Sequence, residues 1–230
     1  MVLFKMNFYI SYPGRLCNQL ILLYHIYDSF ESIDKIYAPR LDPYQSYFKI
    51  DERNILCGFD FFKDNKDSFE HISWEAQGKL STDLFNPKFE GLKLKDCYLD
   101  RVMKIRGNFG DVPLVAVHIR QGDYADFCDG KYFFNIEHYL KITEQKIKDW
   151  DLKDYLVLLF SDIILNIQDL SKGIVVSRLT DNIAALDLFL MSQCNYFIHT
   201  WSTFSALALQ LSVCSGKFKD NYLIIKETPK

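Results

Sequence analysis

The chain has 230 residues, 49% of them hydrophobic and 25% charged, an ordinary mixture for a folded protein and enough for one large α/β domain or two small ones sharing a cleft. A formal net charge of −3 at pH 7 excludes the global basic field that draws proteins onto nucleic acid or anionic membranes, so any anion site must be local. No segment approaches the roughly 20 apolar residues that span a bilayer, and the first ten residues lack the features of a signal peptide, so a soluble cytoplasmic protein is expected.

Residues 3–11 alternate as a first strand, and Ser11-Tyr12-Pro13-Gly14-Arg15 then turns the chain into an apolar helix beginning near Asn18. A helix start leaves unpaired N–H groups facing the loop, so Gly14, Arg15 and Asn18 could face a phosphate or a sugar; a purely structural turn reads from the same residues. Ile33 to Ala38 makes a second strand, ended by Pro39. From Arg40 to Gly110 aromatic and charged residues mix without a sustained period. A helix through Ser68–Lys79 and a short strand around Cys97–Leu99 are expected there, with a lobe boundary near Gly107–Pro113 that divides the chain into 1–112 and 113–230.

The second half is regular. Leu114 to Ile119 reads as a buried strand that stops at Arg120-Gln121-Gly122-Asp123, with Gly122 expected to allow a tight turn. Ligands of open α/β sheets bind beyond the carboxyl ends of strands, which places His118, Arg120 and Asp123 at the rim of a crevice. The planar donor fork of Arg120 suits a phosphate, and an Arg–Asp pair that only pins a loop reads equally well from the spacing. A helix capped by Asn135 runs to Asp149, a strand from Tyr155 to Phe160 ends at Ser161-Asp162, and Gly173 to Ser177 makes another strand. A helix from Asp181 or Asn182 to Ser192, a strand from Tyr196 to Thr200 and a helix from Ser202 to Ser212 complete a parallel, doubly wound pattern. Ser202, Thr203 and Ser205 open that last helix with hydroxyls suited to a phosphate, and capping by Ser202 is compatible with such a role.

The six cysteines are scattered, with no spacing for a metal site, and most are expected to be buried thiols. His199 is expected in the core or a loop, and the many Tyr and Phe residues mostly in the core, with one or two rings available to stack on a base or sugar.

Four segments in order carry a family resemblance. His118-Ile119-Arg120-Gln121-Gly122-Asp123-Tyr124 resembles the H-x-R-x-G-D-Y motif of the inverting α-1,2-fucosyltransferases, which are related more distantly to the α-1,6- and protein O-fucosyltransferases. Asp187 to Cys194 followed by Ser202-Thr203-Phe204-Ser205 is similar to that family's D-L-x-L-M-S-x-C and S-T-F-S block. Gly14 to Gln19 resembles its loop after strand one, and Phe160-Ser161-Asp162 its F-S-D strand end. The resemblance implies a GT-B-like α/β enzyme with two Rossmann-type lobes around a cleft, acceptor-side and then donor-side. Its donor is GDP-fucose, its acceptor a glycan hydroxyl, and no metal or other cofactor is expected. It further implies that Arg120 holds the donor β-phosphate and that His118 and Asp123 shape the pocket. Ser202, Thr203, Phe204 and Ser205 fall at the diphosphate, with Ser161 and Asp162 beside the donor, and Gly14, Arg15, Asn18 and Gln19 face the sugar or acceptor. A diphosphate leaving group needs its growing negative charge stabilised, which an arginine and backbone donors can supply.

The chain departs from the family at Cys17 for a second Gly, Gln121 for a second Arg, Trp201 for Asn, and Ala206-Leu207 for two Trp, and its length leaves room for a trimmed N-terminal lobe. These departures put donor sugar and linkage in question, with another nucleotide sugar, or a non-catalytic nucleotide- or glycan-binding relative, as the competing readings. Asp123 and His118 are the candidate bases, with Asp123 ranked slightly ahead as an organiser locked on Arg120. Asp162 either touches guanine or ribose or caps a loop.

Overall fold

The computed structural model describes residues 6–11, 15–29, 32–49, 59–72, 93–165, 174–176 and 183–225. The chain divides into two compact units, Met1–Lys95 and Asp96–Lys230.

In the first unit β1 (Met6–Ile10) is the middle strand of a parallel sheet, between β2 (Ile33–Tyr37) and β3 (Phe69–Ile72). Helix α1 (Leu16–Ser29) starts two residues before Asn18 and packs on β1 and on a 3-10 helix over Pro39–Tyr47. Pro39 ends β2 as expected, because its fixed φ and missing N–H suit the first turn of a helix. A short helix α2 (Phe59–Asp64) brings Phe62 against Tyr37, ring centroids 4.3 Å apart, in a cluster completed by Tyr9 and Phe69. The expected helix over Ser68–Lys79 is corrected where it can be seen: Phe69–Ile72 pairs with β1, a tertiary pairing that overrides helical propensity, and residues 73–79 lie outside the described residues.

The second unit opens with helix α3 (Asp96–Gly107), where a strand around Cys97–Leu99 was expected. Tyr98, Leu99, Val102 and Ile105 recur every three or four residues on its inward side, and acidic Asp96 begins it while Lys104 and Arg106 end it, matching the helix dipole. This helix packs on α5 (Ala184–Met191) of the same unit.

The sheet that follows is parallel throughout, in the order β6-β5-β4-β7-β8. Its strands are β4 (Leu114–Ile119), β5 (Leu156–Ser161), β6 (Ile174–Val176), β7 (Tyr196–His199) and β8 (Asp220–Leu223). Every residue of β4 is buried, as a central strand covered on both faces requires. Val115, Val117 and Ile119 meet Tyr139 and Ile147 of helix α4 (Ile136–Asp149), which Asn135 caps by accepting from the His138 N–H at 2.9 Å. Helix α5 is buried all round, and it packs on α3, β5 and helix α6 (Thr203–Cys214). The chain leaves β4 toward β5 and β6 on one side, then returns to lay β7 and β8 on the other. The carboxyl ends of β4 and β7 therefore part at a topological switch point, where doubly wound sheets bind ligands.

Candidate functional site

Three strands deliver polar residues to that switch point. Register places Ile119 beside Ser161, so the residues after β4 and β5, Arg120 and Asp162, emerge together. It also pairs His118 with His199, which brings Thr200, Trp201 and the start of α6 alongside.

Arg120 is the hub. Its Nη2 lies 2.7 Å from Asp123 Oδ1 and its Nη1 3.0 Å from Asp162 Oδ2, and its guanidinium stands 5.3 Å from the ring centroid of Tyr124. Asp162 also accepts from the backbone N–H groups of Gln121 at 2.9 Å and Gly122 at 3.3 Å through Oδ1. Through Oδ1, Asp162 thus caps the loop after β4. Gly122 lies in the expected turn, with φ outside the left-handed region. Space is what requires glycine: a Cβ there would stand 2.5 Å from Asp162 Oδ2. The Gln121 side chain donates to the Phe134 carbonyl at 2.6 Å, and the Tyr124 hydroxyl to the Trp201 carbonyl, tying the loop after β4 to α4 and to the loop after β7.

His118 lies 2.6 Å, through Nδ1, from Ser205 Oγ and stacks on Phe204, ring centroids 5.1 Å apart. Burial first, then the positive charge of Arg120 and His199 nearby, pull its pKa down to about 3 against the opposing pull of Asp162. The ring is neutral near pH 7 and a weak proton acceptor. His199 is a core histidine whose pKa is also lowered by burial; its Nδ1–H donates to the Thr200 carbonyl at 3.0 Å. Ser202 caps α6 by accepting from the Phe204 N–H at 3.2 Å, and Thr203 begins the helix half-buried. Ser161 accepts from the Ile163 N–H at 3.3 Å, a local turn contact.

The sequence expectations thus meet in one unit for His118, Arg120, Asp123, Asp162, Ser202, Phe204 and Ser205. Asp187 to Cys194 is core: that block forms the buried helix α5 and the turn after it. Arg15, Asn18 and Gln19 belong to the first unit, where Arg15 is exposed, Asn18 half-buried and Gln19 completely buried in α1; Gly14 lies outside the described residues. Tyr124 and Gln121 are partners the sequence reading missed, although both stand inside the motif. Of five described cysteines only Cys17 and Cys194 are buried, against the expectation for most of them, because Cys97, Cys128 and Cys214 fall on exposed turns of helix and loop. Among the described residues, no three His, Cys, Asp or Glu side chains gather in a way that could hold a metal ion, and no helix is long and apolar enough to cross a membrane.

This architecture is that of a GT-B-like α/β glycosyltransferase. Solved structures share it at low identity. The fucosyltransferase NodZ from Bradyrhizobium is 14% identical with a TM-score of 0.55, covering 89% of this chain and 93% of its own. A NodZ α-1,6-fucosyltransferase soaked with GDP-fucose is 13% identical, TM-score 0.55, covering 90% and 93%. POFUT1 in complex with GDP is 12% identical, TM-score 0.60, covering 94% and 98%. Comparison with curated proteins yields no match. The model of glycosyl transferase family 11 matches residues 93–227, more than half of the chain. The chain belongs to glycosyl transferase family 11, and the protein is a glycosyltransferase.

Proposed function

We propose that the protein is an inverting, metal-independent fucosyltransferase that moves fucose from GDP-fucose to a hydroxyl of a glycan acceptor in α-1,2 linkage. The observation that carries the reading is Arg120, a guanidinium held in a fixed orientation where β4 and β7 part, beside the capped start of α6. Structures of similar fold are described with GDP and with GDP-fucose, and the linkage rests on the resemblance of His118 to Tyr124 to the α-1,2 motif.

In this reading Arg120 meets the β-phosphate, and Ser202 and Thr203 with the N–H groups opening α6 meet the rest of the diphosphate, while Ser205 is completely buried against His118 Nδ1. As the bond to fucose breaks, negative charge grows on GDP, and these preorganised donors stabilise it without reorganising. The acceptor hydroxyl attacks the opposite face of the sugar, so the configuration inverts. The neutral ring of His118 forms a wall of the donor pocket and Asp123 organises Arg120. Gly14, Arg15 and Asn18 serve the acceptor side, whereas Gln19 is completely buried in α1.

Thermal-shift measurements with GDP, GDP-fucose, GDP-mannose and UDP-sugars test the reading, followed by donor turnover in EDTA. GDP and GDP-fucose should raise the melting temperature, and Arg120→Ala should weaken GDP about 10- to 100-fold, the worth of a charge-assisted hydrogen bond. Turnover should persist in EDTA. Unchanged GDP affinity in Arg120→Ala would overturn the phosphate assignment, and preference for a UDP-sugar the donor assignment.

A further inference from the structure

Arg120 carries two carboxylates, and they differ in what it takes to remove them. The Asp162 side chain is 10% exposed, pairs with Nη1, and holds the N–H groups of Gln121 and Gly122 with its other oxygen. Taking it away would strand a nearly buried charge and two backbone donors at once. The Asp123 side chain is 53% exposed and reaches Nη2 through a single oxygen. Returning a half-solvated carboxylate to water costs little.

One guanidinium between two carboxylates is a cluster of net charge about −1. A diphosphate brings further negative charge and needs donors from the same guanidinium, so both carboxylates cannot keep their places without like-charge repulsion. Tyr124 stands over the guanidinium and Asp162 holds Nη1, which leaves the Nη2 end as the part of Arg120 able to change partner.

The geometry points to an exchange of anions on Arg120: Asp162 is a positioning residue that holds Nη1 throughout, whereas Asp123 holds Nη2 only until the donor diphosphate displaces it. This inference rests on Arg120 being the phosphate ligand and adds that the aspartate of the motif opposes nucleotide binding while the aspartate after β5 promotes it.

Calorimetric titration of GDP and of GMP into the wild type, Asp123→Asn, Asp162→Asn and Arg120→Ala tests it, because GMP lacks the β-phosphate. Asp123→Asn should bind GDP about threefold tighter, the scale of a half-exposed ion pair. Asp162→Asn should bind GDP at least about tenfold weaker. Neither change should move GMP affinity, a selectivity that a merely structural role for Asp162 would not produce. Unchanged or weakened GDP binding in Asp123→Asn overturns the exchange, and equal losses of GDP and GMP in Asp162→Asn overturn the positioning role. Should Asp162→Asn fail to fold, the sign at exposed Asp123 still decides. If Arg120→Ala binds GDP like the wild type, the phosphate reading itself is what has failed, and the exchange falls with it.

Discussion

After β1 the chain runs through exposed Arg15 into α1, where Gln19 is completely buried and Asn18 half-buried. After β4 a similar mixture of Arg, Gln, Gly and Asp builds a charged cluster at the strand end, with Asp123 half-exposed beside Arg120. The residues do not make this difference; their neighbours do. The parallel partner β5 delivers Asp162 to the end of β4, where it pairs with Arg120, and β7 delivers Trp201, whose carbonyl accepts from the Tyr124 hydroxyl beside the guanidinium. A polar strand end becomes a preorganised site when adjacent strands end in complementary groups.

The largest expected effect comes from breaking that complementarity. Gly122→Ala would push a methyl to within 2.5 Å of Asp162 Oδ2, forcing the carboxylate off Arg120 and the loop N–H groups. We expect a loss of about 2–3 kcal/mol in urea unfolding. Gly107→Ala, with nothing within 4 Å of the added Cβ, is the control, expected to be neutral or stabilising by under about 1 kcal/mol. An unchanged midpoint for Gly122→Ala would remove Asp162 as the reason for glycine.

Next comes acid. Burial holds the His118 pKa at about 3, well below its ordinary 6.5, so between those values the unfolded chain takes up a proton that the folded chain refuses. The stability contributed by the neutral ring is therefore complete above the unfolded pKa and lost as pH falls toward the folded one, at up to about 1.4 kcal/mol per pH unit. Urea unfolding should lose about 2 kcal/mol between about pH 7 and pH 5. His118→Asn should flatten the slope, leaving the smaller share of His199. A wild-type slope as flat as the variant's would show that the ring is not held neutral.

The smallest effect belongs to the other strand end. Gln19→Leu, at a completely buried position of α1, should leave GDP affinity within about twofold. A larger loss of GDP affinity would erase the contrast between the two strand ends.

Much of the second unit was legible because its signals are local. β4, β5 and β7 are apolar runs stopped by polar residues, and Asn135 and Ser202 cap helices as their side chains predict. Elements whose cause lies elsewhere were not. The edge strand β8, Asp-Asn-Tyr-Leu, has little apolar pattern and exists by pairing with β7. β3 exists by pairing with β1, and α3 hid its period among charges. In the site, Arg120 and Ser205 could be singled out from residue type, yet the attachment of Asp162 to Arg120 follows only from strand register.

The contact between Gly122 and Asp162 has an evolutionary consequence. A side chain at 122 and a carboxylate at 162 compete for one volume, although 40 positions separate them in the chain. Neutral drift therefore has an order: position 162 must shorten or turn away before 122 can accept any larger residue. Relatives in which the two differ from this chain should have changed them as a pair, and transplanting either residue alone into such a background should fail.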